Sequence, residues 1–304
     1  MSLLNLPSDG LPNILVALIA AVQRSRKPLA RDDLLSRIAP TGVVHKNGEM
    51  ARQTFNRWSE LGLFVEDGAN TFRLAESLEE TPANNEAEFL CAVQDMVRRR
   101  VLSEENNADF WALKGAKAAD LTRSLAWVLA QDVYRFSFDK SAEVLEAAQL
   151  ADDDVRLMRN DTRRNGLKFW GYFLGFLRQP SGGEIDPTCA IRQSLSRCIA
   201  AGEGMLATDF VRNLAAELPV LDGGKWRLNV EARLDRQALP ALAEGQLSTS
   251  LSRALIQLRM EGLLILENRA DAGTSIALTG HDGIRADYRY SWVRYGEPSR
   301  TKKA

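Results

Sequence analysis

From about Asn47 to Leu61 the chain places Ala51, Phe55, Trp58 and Leu61 at spacings of three and four, which predicts a helix with one buried stripe. Away from that stripe stand Arg52, Gln53, Asn56 and Arg57. These side-chain types read DNA: arginine grips the O6/N7 edge of guanine with two hydrogen bonds, and asparagine or glutamine does the same for adenine. A helix of about four turns fits the major groove, where that code is displayed. The competing reading is a solvated polar face, and Glu49, Glu60 and the nearby Asp67 oppose phosphate contact. A second such set occurs late in the chain. Ser248 is placed to cap a helix whose Leu251, Leu255 and Leu258 point inward, leaving Thr249, Ser252, Arg253 and Gln257 outward. Beyond it lies Arg269, a side chain able to enter a narrow minor groove. Protein docking is the alternative use of this second face.

Other residues suggest less specific chemistry. The run Phe169 to Leu177, FWGYFLGFL, reads first as a core helix and second as a partner surface, with Trp170 and Phe173 as the partner-binding candidates. Tyr288, Tyr290 and Trp292 alternate with Arg285, Arg289 and Arg294, which suits a strand with a buried aromatic face better than base stacking. Arg98-Arg99-Arg100 and Arg163-Arg164 read as solvated charge. No phosphate loop, paired-glycine fingerprint, nucleophile elbow or histidine metal pair is present, so no enzyme activity is expected. Cys91, Cys189 and Cys198 with His45 and His281 lack metal-site spacing, and reduced thiols are expected. Neither a metal nor a cofactor is called for.

The elements that must position the first set can be read on either side of it. Ile14, Leu15, Leu18, Ile19 and Val22 form one apolar face, with Ser8 or Asp9 as cap and Pro12 in the first turn. A short helix follows Leu29, with Asp32 and Asp33 in its first turn, and Pro40 ends it. After the third helix Gly62 supplies a left-handed cap, and Leu63–Glu66 with Thr71–Leu74 predict a hairpin around Asp67-Gly68. The order returns: LATDFV from Leu206 echoes LARDDL from Leu29, and MEGLLI from Met260 echoes ELGLFV from Glu60. Between the echoes lies an insert near 222–246, in which Trp226 to Ala232 alternates like a strand. The domains predicted are 1–78, a helical 86–179, 187–295 with the insert, and a disordered tail at 296–304.

Composition sets bounds on this. The 304 residues are 45% apolar, enough for a globular protein of two or three domains, and the net charge of −1 removes the argument from a strongly basic whole. The two ends are mildly basic and the middle acidic. The apolar run Ile14–Val22 is too short for a membrane span and lacks the flanks of a signal peptide, so a soluble cytoplasmic protein is expected, without membrane contact.

In order of elements, residues 14–74 and 189–278 resemble winged-helix domains, the hairpin being the wing. The fold implied is mainly α with small β-hairpin wings, two such modules flanking a helical middle region. The opening Asn5-Leu6-Pro7-Ser8-Asp9-Gly10-Leu11-Pro12-Asn13, leading straight into the first helix, resembles the DpdG family. Its members are accessory components of bacterial gene clusters that insert 7-deazaguanine bases into DNA and restrict unmodified DNA. That resemblance implies work beside DNA-acting ATPases and nucleases in defence against foreign DNA, with no catalytic residues to carry over. The two-module plan is also similar to the small subunits that bind the linker protein of bacterial condensin-like complexes. The expectation is a non-catalytic accessory subunit that binds duplex DNA and other protein subunits, with a homodimer possible. The alternatives are a docking scaffold without DNA affinity and a ligand-responsive transcription regulator.

Overall fold

The computed structural model describes residues 3–4, 11–25, 27–40, 42, 48–76, 78, 85–112, 117–178, 184–271, 273–281 and 283–296, with the side chains of 283–287 also left aside. The expected caps Ser8 and Asp9, the linker at 79–84, the break at 179–183 and the tail from 297 lie outside these residues. The described chain is mainly helical with small antiparallel strands. In order it forms α1 (Pro12–Arg24), β1 (Leu29–Ala30), α2 (Arg31–Ile38), α3 (Glu49–Glu60), β2 (Phe64–Glu66), β3 (Thr71–Leu74), α4 (Glu86–Leu102), α5 (Ala119–Ala130), α6 (Lys140–Gln149) and α7 (Asp161–Phe173). There follow β4 (Leu177–Arg178), β5 (Glu184–Ile185), α8 (Thr188–Cys198), β6 (Gly204–Leu206), α9 (Ala207–Glu217), α10 (Lys225–Glu231), α11 (Thr249–Met260), β7 (Leu264–Glu267), β8 (Ile276–Gly280), β9 (Gly283–Tyr290) and β10 (Trp292–Tyr295).

Two compact units divide the chain: 1–122 with 160–174, and 123–159 with 175–304. The helical middle is therefore shared between them and does not form a unit of its own.

In the first unit α1 opens on Pro12, whose fixed φ suits a first helical turn, and buries Leu15, Leu18, Ile19 and Val22. Its sheet has the order β1-β3-β2, with Leu29 opposite Phe72 and Phe64 opposite Leu74. Gly62, at φ 74°, ends α3: its N–H bonds Ser59 O at 2.9 Å and the next N–H, of Leu63, bonds Trp58 O at 2.8 Å. This paired closure needs a left-handed residue. On its inner side α3 buries Phe55 and Trp58, and the Trp58 ring lies 5.3 Å from that of Trp170 on α7. Arg98, expected in a solvated run, is buried on α4. It donates to Leu174 O at the end of α7 (2.8 Å) and to Asp95 (2.7 Å), so its charge is paired and a helix C-terminus is capped. Arg164 is likewise buried, against Asp161.

The second unit repeats this order with insertions. A helix (α8), a short strand (β6), a helix (α9), a third helix (α11) and a strand (β7) follow one another, and the sheet order is β6-β10-β7. Gly262, at φ 75°, closes α11 with the same pair of bonds, Gly262 N–Arg259 O and Leu263 N–Leu258 O, both 3.0 Å. The strand returning beside β7 is β10, which lies beyond the 189–278 stretch that resembles a winged helix. The β8–β9 hairpin is inserted between them and forms its own two-stranded sheet. Trp226 to Ala232, read as a strand, begins as helix α10. Trp226 and Val230 are both buried and four apart, a spacing shared by a period of 2 and a period of 3.6. A Cβ on Gly204 would sit 2.4 Å from Trp292 Nε1, so only glycine lets Trp292 cross β6 there.

The stretch 86–179, read as helical, is interrupted: among the described residues 109–112 form no helix, and 153–160 holds only one 3-10 turn, Asp153–Val155. The helix read through Phe169 to Leu177 ends at Phe173, and Leu177 joins β4.

Candidate nucleic-acid interface

The outward face of α3 is narrower than its sequence predicted. Arg52 and Asn56 are exposed and one turn apart; Gln53 is half-exposed beside them, its Nε2 donating to Glu49 Oε1 at 3.3 Å. Arg57 is not on this face. Its side chain is 4% exposed, with Nη1 3.3 Å from Glu60 Oε2. The buried arc of α3 runs from Ala51 through Thr54 to Trp58 and takes in position 57, so an arginine there keeps its stem in the core and its head at the edge.

Arg31, at the start of α2, belongs to the α3 face although 25 residues separate it from Asn56. Its Nη2 donates to Asn56 Oδ1 at 2.8 Å, and its guanidinium carbon lies 5.8 Å from the Phe55 ring centroid. Nothing in the spacing of the sequence joins α2 to that position. The hairpin tip is acidic: Glu66 and Asp67 are exposed, and Arg73 approaches Asp67 at 3.6 Å.

On α11 two of the residues predicted outward are turned in. Ser252 is 0% exposed and its Oγ accepts the Thr279 N–H at 2.9 Å. Thr249 is half-buried, its Oγ1 accepting the Val133 N–H at 3.0 Å. Arg253 and Gln257 do reach the surface, each beside a carboxylate. Arg253 Nη2 is 3.2 Å from Glu184, which Arg178 also holds at 2.9 Å and keeps below the usual carboxylate range; Gln257 donates to Glu261 at 3.0 Å. Glu261 in turn accepts from Nε and Nη2 of Arg192. Arg269 lies with its guanidinium 4.1 Å over the Trp292 ring and 2.7 Å from Glu267, so it is stacked and neutralised rather than extended.

Trp170, at 2% exposure, and Phe173 are core residues packed edge to face, which corrects their assignment to a partner surface. The rings that α7 does turn outward are Phe169 (44%) and Tyr172 (48%). Tyr290 is buried and Trp292 half-buried, as expected of a strand with an aromatic inner side.

Among the described residues no group of three or more His, Cys, Asp or Glu side chains could hold a metal, and no helix is long and apolar enough to cross a membrane.

A family model described as DpdG-like matches residues 1–272. The chain belongs to the DpdG-like family. The match includes the opening Asn5–Asn13 stretch, of which residues 5–10 lie outside the described structure. Membership ties this DpdG-like chain to a DNA-modification cluster. No curated protein and no solved structure matches it.

Proposed function

We propose that this chain is a non-catalytic accessory subunit of a bacterial DNA-processing or defence assembly and that its two helix–helix–helix–hairpin repeats are winged helices. In this reading α3 lays Arg52, Gln53 and Asn56 in the major groove of duplex DNA. The observation that carries the reading is the make-up of that face. An arginine and two amides are grouped on one side of a helix whose other side is anchored by Phe55 and Trp58 and which runs into a two-stranded hairpin. The acidic hairpin tip and the near-neutral whole charge imply few phosphate contacts, hence moderate affinity.

The second repeat has a different use. Carboxylates sit beside Arg253, Gln257 and Arg269, so DNA phosphates would have to displace Glu184, Glu261 and Glu267. A protein surface with complementary charge needs no such displacement, and we assign α11 and its neighbours to docking a partner subunit.

Fluorescence anisotropy on a labelled duplex of about 30 base pairs tests the DNA reading, with titrations at about 50 and 200 mM salt. Micromolar binding that weakens with salt, with the shallow slope of a few phosphate contacts, is expected. Absence of binding at the lower salt overturns it and leaves docking as the function of both repeats.

A further inference from the structure

Asn56 does not present its whole amide to the outside. The atom facing Arg31 must be Oδ1, because a guanidinium has only donors. The 2.8 Å bond therefore fixes which way the amide points, with Oδ1 toward α2 and Nδ2 turned away from Arg31. Arg31 is itself held from two sides. Its backbone N–H donates to Asn70 O in the β2–β3 turn at 3.2 Å, and its guanidinium lies against Phe55 in the core.

This changes what the face can read. An asparagine that recognises adenine must accept from the N6 amino group while donating to N7. Here the accepting atom is turned toward α2 and one of its two lone pairs is taken by a charge-assisted bond, so an incoming amino group must reach the remaining lone pair beside a cation. Guanine presents two acceptors on the same edge, O6 and N7. Arg52, four residues before Asn56 on the same stripe, has only donors. We infer that the α3 face reads the acceptor edge of guanine, Arg52 and Asn56 both donating to it, and that Arg31 is the positioning residue that turns the face against adenine. The inference rests on the DNA reading proposed above and adds to it the base that is read.

The test compares three duplexes of equal length at one salt concentration. One is rich in dG·dC pairs, the second is the same duplex with 7-deaza-2′-deoxyguanosine in place of dG, and the third is rich in dA·dT. The 7-deaza base pairs and carries charge as guanine does but lacks the N7 acceptor. Loss of one of the two base-edge acceptors, N7 in the substituted duplex and O6 in the dA·dT duplex, predicts roughly tenfold weaker binding to each, with an unchanged salt slope. In Arg31→Met, which keeps an apolar stem over Phe55, Oδ1 is released and the dG-over-dA preference narrows. Equal, salt-dependent binding of wild type to the dG and 7-deaza duplexes overturns the guanine assignment while leaving DNA binding in place. Failure to bind any of the three at low salt overturns the DNA reading itself. A folded Arg31→Met protein with undiminished preference for dG removes Arg31 from the account.

Discussion

Arg52 and Arg57 are five residues apart on one helix, and replacing each by alanine gives different consequences. Arg57 is buried to the head group. Truncation removes about two methylenes, Cγ and Cδ, from the core, worth roughly 0.8 kcal/mol each, and an ion pair with a mostly exposed Glu60 that contributes well under 1 kcal/mol. Truncation also removes the desolvation cost that the buried guanidinium carries in the folded state, which offsets part of this, so Arg57→Ala destabilises the first unit by about 1–3 kcal/mol. With a urea slope of about 1–3 kcal/mol per molar, the midpoint falls by roughly 1 M. Arg52 is exposed, and Arg52→Ala stays within about 0.5 kcal/mol of wild type in stability. Its effect is on DNA. If it contacts a phosphate, the slope of log affinity against log salt drops by about 1; if it contacts a base, affinity falls without that change. Urea unfolding followed by circular dichroism, with anisotropy on the same two proteins, separates the cases. A Cm unchanged in Arg57→Ala, together with lost DNA affinity, would refute this reasoning and return Arg57 to the outward face.

Trp170→Ala opens a cavity beside Trp58 and should cost about 3–5 kcal/mol, whereas Phe169→Ser on the same helix should be nearly neutral; thermal unfolding of both variants checks this. Glu146 is buried, accepting the N–H groups of Leu157 (2.8 Å) and Met158 (2.7 Å), and desolvation raises its pKa despite those bonds and the nearby Arg156 and Arg159. The folded state therefore holds this proton to higher pH than the unfolded state does. This group's contribution to stability falls as pH rises from the ordinary carboxylate range through the raised value, and then levels off. Glu146→Gln should lose that decline, so stability relative to wild type should grow with pH across the window in denaturant titrations; a constant difference would contradict the assignment. Burial, with Glu217 adding to it, pushes the Cys198 thiol up to about 11, while Cys91 is exposed; alkylation near neutral pH followed by peptide mapping should find Cys91 modified and Cys198 protected until unfolding.

The parts of the fold that local chemistry determines were legible in the sequence. Ala51, Phe55 and Trp58 marked α3, Gly62 marked its end, and the echo at Gly262 is matched by the same pair of closing bonds around a second left-handed glycine. Features set by distant partners were not legible. Trp170 comes from far along the chain to meet Trp58, and residues flanking such contacts, Arg57 among them, are buried whatever their type suggests. Arg98 looked like solvated charge because the carbonyl that draws it inward, at the end of α7, leaves no local pattern, and Asp95 three residues before it reads as an ordinary surface pair. The return strand β10 was displaced by an inserted hairpin, and α10 had a spacing that two periods share. At the candidate site the sequence supplied Arg52, Gln53 and Asn56 but not Arg31. The orientation of Asn56 depends on a side chain that spacing could not connect to it.

Photo-crosslinking tests the placement of DNA on α3 most directly. A photoreactive amino acid is put in place of Gln53, on the outward face, and separately in place of Val144, an exposed position on α6, and each protein is irradiated with a labelled duplex at low salt. The account predicts a covalent protein–DNA product from position 53, lost on adding unlabelled duplex, and little from position 144. Equal yields at the two positions, or none at 53 in a protein that still binds duplex, would contradict it.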